Sequence, residues 1–444
     1  MSDELPQGWE TIALGGLFDF KYGKGLPQEK RNGKGSVRVY GSNGVVGIHD
    51  ATVTSGPTII VGRKGSVGEV HLSSEGCWPI DTTYFIDEFP ANLPPAYWAL
   101  YLKSLRLGQQ EKSSAIPGIS RDDIYAVEVP LPPLAEQRRI VVKVDKLLGK
   151  VDACQQRLVR IPVLLKRFRQ SVLAAACSGR LTADWREENT TDADGESVAV
   201  LDDLHPLPET WRWQHLESVC ARIVDCPHST PKWADSGRLC VRTTNFRPGV
   251  LDLSEVRYVS GTTFNQRIER MRPQPGDVLY SREGGILGIA CMIPPKVELC
   301  LGQRMMLFRV KSDFSASMLM HWLNSPVILR RVQELTGGSA SPHLNVRDIK
   351  AFPTPSPPLA EQQEIVRRVE ALFALADQIE GRFRVSQTHL SKLTPSLLAK
   401  AFRGELVPQD PNDEPAEQLL QRLRATKASS AALSRTGRKG ARNR

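Results

Sequence analysis

The sequence lacks the features of membrane, exported and disulfide-bonded proteins. None of its apolar runs approaches the roughly 20 residues that a membrane-spanning helix needs, and the N-terminal MSDELPQGWE has no basic start before an apolar stretch. The eight cysteines include no CxxC pair. No usual zinc pattern fits the spacing of the nearest candidates, Cys220, Cys226, His228 and Cys240. We therefore predict a cytoplasmic protein with reduced, mostly buried thiols and no metal site.

Motifs of the common enzyme classes are also missing. The sequence has no Asn/Asp-Pro-Pro-Tyr/Phe tetrapeptide of an amino-methyltransferase, no glycine-rich loop for a dinucleotide or triphosphate, and no GxSxG elbow. It also has no carboxylate pair with a following lysine at nuclease spacing. These absences favour a binding protein without catalytic residues, and an enzyme with an unfamiliar site stays open as an alternative.

Length and charge indicate a multidomain protein with a polyanionic partner. The 444 residues are enough for two or three domains, and the apolar content of 41% allows each of them a core. The 58 basic side chains outnumber the 49 acidic ones, which gives a formal net charge of +9. An excess of this size favours nucleic acid as a partner.

One stretch of the sequence occurs twice. Residues 132–152 read PPLAEQRRIVVKVDKLLGKVD and residues 357–377 read PPLAEQQEIVRRVEALFALAD, so 11 of 21 positions are identical at an offset of 225. Prolines begin each copy because they do not fit inside a helix. Glu136 and Glu361 lie in the first turn, where the helix dipole favours an acidic side chain. An internal repeat of this kind predicts two similar structural units.

Starting inside each copy, apolar residues recur at alternating spacings of four and three, from Ile140 to Val172 and from Ile365 to Leu397, with Ser386 at one position of the second series. Such a heptad pattern predicts two coiled-coil helices, each about 45 residues and roughly 65 Å long. We expect Pro162 and Pro395 to kink or break them. The natural partner of one helix is the other, as an antiparallel pair with a pseudo-two-fold axis. Two core helices of ordinary bundles are the alternative.

The fold class predicted for the chain is α+β, with two globular domains that contain mixed β-sheets. Short apolar runs cut by glycine turns indicate strands in both globules. The two globules also have similar sequence at matching positions, which include Trp9 with Trp211 and residues 119–124 with residues 344–349. The predicted order is globule 1–131, spacer helix 132–183, acidic linker 184–206, globule 207–356, spacer helix 357–408 and a basic, disordered tail 409–444.

Polar and basic residues cluster at the glycine turns of both globules. Lysine and arginine in such turns can hold DNA phosphates, and arginine, asparagine and serine can reach base edges. Hairpin turns with solvated charges are the alternative. In the first globule the candidates are Lys21, Tyr22, Lys24, Arg31, Asn32, Lys34, Arg38, Tyr40, Ser42, Asn43, Arg63, Lys64 and Ser66. In the second they are His228, Thr230, Lys232, Arg242, Thr244, Asn245, Arg282, Glu283 and Arg304.

Apolar residues outside the heptad positions widen the stripe of both helices beyond what one partner helix would cover. Val142 and Leu375 are examples. Part of the surplus can contact the globules, and the rest predicts docking surfaces for another protein, which would bind twice because the stripe is repeated. The candidate docking residues are Leu134, Gln137, Val141, Leu148, Leu359, Gln362, Val366 and Phe373.

These features together resemble the specificity (S) subunits of type I restriction–modification systems. The doubled PPLAEQ segments, the heptads after them, and the Gly-Arg-Leu and Gly-Glu-Leu triplets at 179–181 and 404–406 carry the resemblance. It extends over the chain to about residue 410. Further support comes from the turns at residues 39–44, 62–65, 225–232 and 302–304.

The resemblance implies two target-recognition domains, each of which reads one half of a split asymmetric target in double-stranded DNA. It implies helices that set the gap and bind two methyltransferase (M) subunits, joined for restriction by two motor (R) subunits in phage defence. S-adenosylmethionine, ATP and Mg²⁺ would belong to those partners, and this chain would bind no cofactor. The turns that match the family contain Arg63, Lys64, Arg242, Asn245 and Arg282. A non-enzymatic scaffold with two protein-binding domains is the alternative function.

Overall fold

The computed structural model describes residues 5–31, 33, 35–109, 119–189, 204–337 and 342–427. The chain forms two compact units. Unit 1 contains the chain up to Leu158 together with the chain from Val385 onward, and unit 2 is Val159–Arg384. None of the described helices is both long enough and apolar enough to cross a membrane. All eight cysteines are free, and seven of them are buried as predicted.

The described part of unit 1 contains a globule of nine strands and three helices, followed by a long helix. Its strands are β1 (Glu10–Ala13), β2 (Lys21–Tyr22), β3 (Val37–Gly41), β4 (Gly44–His49), β5 (Thr58–Gly62), β6 (Val70–Ser73), β7 (Trp78–Pro79), β8 (Thr83–Ile86) and β9 (Glu128–Leu131). Its helices are α1 (Leu14–Leu17), α2 (Pro95–Ser104), α3 (Arg121–Tyr125) and α4 (Leu134–Leu158).

Three sheets form this globule. The central sheet has the order β2-β8-β5-β6, a second sheet has the order β4-β3-β7, and β1 pairs with β9. Strands β5 and β8 are buried along their whole length, as expected for short uninterrupted apolar runs. The β3–β7 pair is parallel whereas β3–β4 is antiparallel, so the predicted mixed sheet is confirmed.

Unit 2 begins with two helices and continues into a globule with the same plan. The helices are α5 (Ile161–Cys177), α6 (Ala183–Glu188), α7 (Leu216–Val219), α8 (Gly261–Ile268), α9 (Ala316–Leu323), α10 (Pro326–Thr336), α11 (Val346–Lys350) and the first part of α12 (Leu359–Phe402), which continues into unit 1 from Val385. The strands are β10 (Arg212–His215), β11 (Cys220–Asp225), β12 (Trp233–Ala234), β13 (Arg238–Val241), β14 (Phe246–Arg247), β15 (Gly249–Leu251), β16 (Arg257–Val259), β17 (Val278–Ser281), β18 (Ala290–Met292), β19 (Cys300–Leu301), β20 (Met305–Val310) and β21 (Pro353–Ser356).

The sheets of unit 2 repeat those of unit 1. The order β11-β20-β17-β18 begins a six-stranded sheet and matches β2-β8-β5-β6. The parallel pair β13–β19 matches β3–β7, and β10 pairs with β21 as β1 does with β9. Strands β15 and β14 extend the larger sheet of unit 2. The predicted pair of similar frames with dissimilar contents is therefore present.

Proline affects the two long helical segments differently. The first segment is interrupted between α4 and α5, and Pro162 lies in the first turn of α5, where a missing N–H costs nothing. The predicted interruption is confirmed there. Helix α12 continues through Pro395, so of the predicted kink or break at this residue the break is wrong. Pro395 and Ser391 are both exposed, and water can satisfy the carbonyl of Ser391 that loses its helical donor.

In each unit, the start of one long helix and the end of the other contribute to the same core. In unit 1, Ile140 at the start of α4 shares a core cluster with Phe402 at the end of α12. In unit 2, Cys177 at the end of α5 shares a cluster with Ile365 at the start of α12. The heptad positions are buried at these ends, but the heptad position Ile379, farther along α12, is 41% exposed.

Each copy of the repeated segment fixes a helix to its globule through a buried glutamate and glutamine. Glu136 accepts a hydrogen bond from the Trp9 indole at 2.9 Å, and Glu361 accepts one from Trp211 at 2.8 Å. The following glutamine side chain donates to the first proline carbonyl of its own segment, Pro132 or Pro357, at 2.9 Å in both copies. The repeat of the sequence is thus a repeat of one buried hydrogen-bond arrangement.

The sequence suggested that the tail from residue 409 is disordered, but part of the tail is helical. Residues 416–427 are helical, and Leu419, Leu420 and Leu423 are buried in the core of unit 1. These three leucines share one face of a helix, a pattern that the basic composition obscures. Residues 428–444 lie outside the described part of the chain.

The acidic linker also begins as ordered structure. Helix α6 occupies its first residues, and Asp184 forms an ion pair with Arg368 at 2.6 Å. The bond to Arg368 lowers the pKa of the Asp184 carboxyl. Residues 190–203 of the predicted linker lie outside the described residues.

Candidate nucleic-acid interface

The glycine turns converge at one edge of the central sheet in each unit. In unit 1 the N–H of Arg63 donates to Thr82 O at 2.9 Å, and the N–H of Gly23 donates to Thr83 O at 3.0 Å. These bonds tie the turns after β2 and β5 to the segment before β8. We call this region the turn edge. It comprises residues 22–25, 41–44, 62–68 and 79–83 in unit 1, and residues 225–232, 242–245, 281–288 and 301–305 in unit 2.

The same backbone bonds define matching positions in unit 2. The N–H of Arg282 donates to Arg304 O at 3.0 Å, and the N–H of Cys226 donates to Met305 O at 3.1 Å. Arg282 therefore occupies the position of Arg63, and Arg304 that of Thr82. Asp225, before Cys226, occupies the position of Tyr22. The turn after each strand closes through a glycine at positive φ, Gly68 at +78° and Gly288 at +76°.

Tyr22 is the centre of the turn edge in unit 1. The residue is 53% exposed, and its ring centre lies 5.1 Å from that of Tyr84. The guanidinium of Arg63 lies 5.2 Å from the Tyr22 ring centre, and that of Arg121 lies 5.3 Å from it. Burial raises the pKa of Tyr84, and the neighbouring Tyr22 adds to this effect whereas Arg63 opposes it. The predicted pair Tyr22 and Arg63 is thus brought together, with an additional arginine.

Sequence reasoning missed Arg121. It is the first residue of α3, which Ser120 caps by accepting the N–H of Asp123 at 3.1 Å. The segment 119–124 was recognised only as an echo of 344–349. A signal was nevertheless present, because the aligned residue in the second copy is Val346 rather than a basic residue.

Other predicted residues of unit 1 also reach the turn edge. Lys24 and Lys64 are exposed, and the Lys24 ammonium lies 5.7 Å from the Trp78 ring centre. Asn43, which follows Ser42 in the sequence, is exposed as well. A side chain at Gly62 would contact Ser42 and the carbonyl of Ser66, so these two serines adjoin the β5 turn.

Several predicted DNA contacts of unit 1 have structural roles instead. Lys21 forms ion pairs at 2.7 Å with Asp87 and with Glu88, and these bonds outweigh burial and raise its pKa. Arg31 donates to the carbonyls of Leu26 and Val46 and so joins two loops. The other predicted contacts are Tyr40, Arg38, Asn32 and Lys34. Tyr40 is buried in the core, Arg38 is exposed on β3, and Asn32 and Lys34 lie outside the described residues.

Arg282 in unit 2 is a structural residue, which corrects its prediction as a DNA contact. It is 6% exposed. Its Nε donates to Asp225 at 3.0 Å, one terminal nitrogen donates to Leu344 O at 2.9 Å, and the other lies 2.9 Å from Glu283. Each of its three guanidinium nitrogens thus has a partner inside the unit. Glu283 is committed to the same ion pair.

Asn245 is corrected for the same reason. It is 3% exposed, its Oδ1 accepts the N–H of Arg242 at 2.9 Å, and its Nδ2 donates to the carbonyls of Asp252 and Glu255. The side chain therefore holds a turn and has no group left for a base. Arg242 itself is half-buried, and its Nε has no hydrogen-bond partner in the described part of the chain.

The remaining candidates of unit 2 are accessible. Arg304 is exposed and has φ of +69°, a conformation uncommon for arginine that Arg282 supports through its backbone bond. His228 is exposed and lies 3.0 Å from the Asp225 carboxylate. Thr230 donates to Gln303 at 3.1 Å. Lys232 and Thr244 are also exposed.

The predicted docking residues divide into three groups. Gln137 and Gln362 are buried and hold the helix starts, so their assignment to docking is wrong. Five apolar residues lie partly buried against the cores of their own units, and these are Leu134, Val141, Leu148, Val366 and Phe373. Leu359 is exposed, as are Val142 and Leu375.

Comparisons with known proteins agree with these features. The family model for the type I restriction modification DNA specificity domain matches residues 6–162 and 258–383. The EcoDI specificity subunit of Escherichia coli is 28% identical, and the match covers 96% of this chain and 97% of that protein. The EcoBI specificity subunit of Escherichia coli is 33% identical over 72% of this chain and 68% of that protein.

Two solved structures share the fold. One is a chain from a study of complex assembly and conformational transition in the type I R-M system, with a TM-score of 0.65, 20% identity, and coverage of 91% of this chain and all of that one. The other is the HsdS subunit from Thermoanaerobacter tengcongensis, with a TM-score of 0.57, 20% identity, and coverage of 90% and 98%. The doubled helix anchors, the repeated sheet frame and the matching family model lead to one conclusion: this chain belongs to the type I restriction–modification specificity subunits, which recognise DNA sequence and are not themselves the catalytic subunits.

Proposed function

We propose that each unit of this specificity subunit reads one half of a bipartite asymmetric DNA target. The observation that carries the proposal is that one backbone frame presents different side chains at matching positions of the two turn edges. Tyr22 corresponds to Asp225 and Thr82 corresponds to Arg304. Side chains of different hydrogen-bonding capacity select different bases, so two unlike half-sites are expected.

Methylation mapping tests this division of the target. The chain is produced with its methyltransferase partner in a host, and methylated adenines are located in the host DNA. Arg304→Ala should then relax or change the half-site read by unit 2 and leave the other half unchanged. A loss of about 1–3 kcal/mol at one position is expected if Arg304 contacts a base. A change in both halves, or a continuous target in the unmodified protein, would contradict the proposal.

The helices are proposed to set the distance between the half-sites. Helix α12 is continuous over 44 residues and belongs to both units. Insertion of seven residues near Arg384 should therefore change the preferred gap or abolish assembly. An unchanged gap in a complex that still assembles would contradict this role.

Two methyltransferase subunits are proposed to dock on the helices, and two restriction subunits to join through them. The support is exposed apolar surface on both long helical segments, at Val142 and Leu375. Val142→Glu and Leu375→Glu should each reduce the number of bound methyltransferases from two to one, as measured by native mass spectrometry. Gln155→Glu, an exposed polar position of α4, is the matched control. Retention of both partners in both apolar variants would contradict this docking surface.

The cofactors are proposed to reside in those partners. S-adenosylmethionine would bind the methyltransferase, and ATP with Mg²⁺ would bind the restriction subunit. The purified chain should therefore retain none of the three in equilibrium dialysis, whereas the assembled complex should bind them. Buried, unpaired thiols throughout unit 2 fit the reducing cytoplasm, where we place the complex.

A further inference from the structure

Two arginines of unit 1 are held against the same exposed aromatic ring. Arg63 and Arg121 lie 5.2 and 5.3 Å from the centre of the Tyr22 ring. Each also lies over a second tyrosine, Arg63 at 5.7 Å from Tyr84 and Arg121 at 5.6 Å from Tyr125. Such cation–π contacts orient a guanidinium without neutralising its charge.

Within the described part of the chain, no acidic side chain compensates the charges of these arginines. No carboxylate among the described residues lies within ion-pair distance of Arg63 or Arg121. The Nε atom of each is buried and has no hydrogen-bond partner in that part of the chain. Among the described residues, the Arg63 guanidinium donates to Asp81 O at 3.1 Å and also bonds to the neutral Tyr84 side chain, and neither partner carries a negative charge. Two oriented positive charges therefore adjoin one exposed ring.

The described residues of unit 2 include no equivalent of this arrangement. Asp225 replaces Tyr22 and Val346 replaces Arg121 in the repeated frame. The third member, Arg282, is neutralised by Asp225 and Glu283. The frame is common to both units, but a pair of guanidinium groups on one ring without an ion-pair partner exists in unit 1 alone among the described residues.

We propose that Arg63 and Arg121 together grip one backbone phosphate of the DNA at the half-site of unit 1. Guanidinium groups bind phosphate oxygens in a bidentate manner, and Tyr22 holds both groups in place before DNA arrives. The proposal rests on the proposed function and adds to it a division of labour. Unit 1 contributes this phosphate contact and more of the salt-dependent affinity, whereas unit 2 selects through Arg304 and its neighbours.

We call the pair Arg63 and Arg121 the phosphate clamp. Salt titration of DNA binding tests this clamp. The full-length chain and the double variant Arg63→Ala/Arg121→Val are titrated with the mapped duplex at several salt concentrations. Loss of one phosphate contact should reduce the slope of log K against log salt by about 0.9. A reduction of about 1.8 would mean two separate phosphates, and an unchanged slope would exclude phosphate contacts. Either result would overturn the shared clamp.

Neutral phosphates locate the contact. Methylphosphonate groups are placed one at a time along the half-site of unit 1, and one position should weaken wild-type binding while leaving the double variant unaffected. Tyr22→Ala should reproduce the weakening by releasing both arginines. A loss of preference for one base at an unchanged salt slope would show base recognition instead and overturn the proposal.

Lys103→Val serves as the charge control, because Lys103 is exposed in α2 and lies outside the turn edge. Its salt slope should equal that of the wild type. Thermal unfolding of every variant checks that unit 1 is folded. Failure of the clamp and failure of the proposed function can be told apart. A wild-type chain that shows no sequence preference would refute the proposed function. The salt slope measured on random duplex would still test the clamp in that case.

Discussion

Alanine substitution of two arginines at matching positions should have opposite consequences in the two units. In unit 2, Arg282→Ala removes a buried guanidinium and leaves Asp225 and Leu344 O without their donor. Breaking a buried charge pair in this way costs about 3–5 kcal/mol of unfolding free energy. In unit 1, Arg63→Ala removes a half-buried side chain that contacts ring faces. Two such contacts are worth about 1–2 kcal/mol together, so the main loss should be in DNA affinity.

Unfolding and binding of the two variants must be measured on the same preparations. Urea titration followed by near-UV circular dichroism should show a lower midpoint for the unit 2 transition in Arg282→Ala and a small shift in Arg63→Ala. Fluorescence anisotropy with the target duplex should show the larger loss of DNA affinity in Arg63→Ala and the smaller loss in Arg282→Ala, when the concentration of folded protein is used for each variant. A stable Arg282→Ala protein that binds its half-site weakly would refute the assignment of Arg282 to structure.

Three further predictions concern stability. Burial lowers the pKa of His321 from 6.5 to about 4, so the folded state disfavours protonation of this side chain. The unfolding free energy should therefore fall by up to about 3 kcal/mol as the pH drops from about 6.5 to 4. Urea titrations of His321→Phe should lack this component of the pH dependence. Leu420→Ala should lower the unfolding free energy of unit 1 by about 2–5 kcal/mol and leave unit 2 unchanged, and calorimetry that shows both transitions shifted would contradict this. Trp211→Phe removes the donor to Glu361 and should cost about 1–3 kcal/mol in unit 2; Trp9→Phe should shift unit 1 instead, and equal shifts of both transitions in either variant would argue against separate anchors.

The sequence predicted the helices and the repeated frame because both depend on local pattern. Identity between residues 132–152 and 357–377 required similar structures, and the apolar spacing after each copy is that of a helix. The interruption at Pro162 follows from the chemistry of proline alone. The continuation through Pro395 does not, because it depends on exposure, which the heptad pattern does not give at a single position.

The roles of individual polar residues were less predictable, since they depend on contacts distant in the chain. Arg63 and Arg282 occupy equivalent turns, yet Arg282 is neutralised by Asp225, which lies 57 residues away. Asn245 and Gln137 have the side chains of DNA- or protein-binding residues but satisfy backbone groups within their own units. Arg121 was missed because its partner Tyr22 lies in a different segment of the sequence.

The two units differ in how much of the chain each requires. Unit 2 is one continuous stretch, Val159–Arg384, and all of its core is available once that stretch has been synthesised. Unit 1 needs Leu398, Phe402 and Leu423 to complete a core that begins with Trp9. On the ribosome, unit 1 should therefore complete its core only after the residues beyond Arg384 have been synthesised, and so later than unit 2, although most of unit 1 is made first.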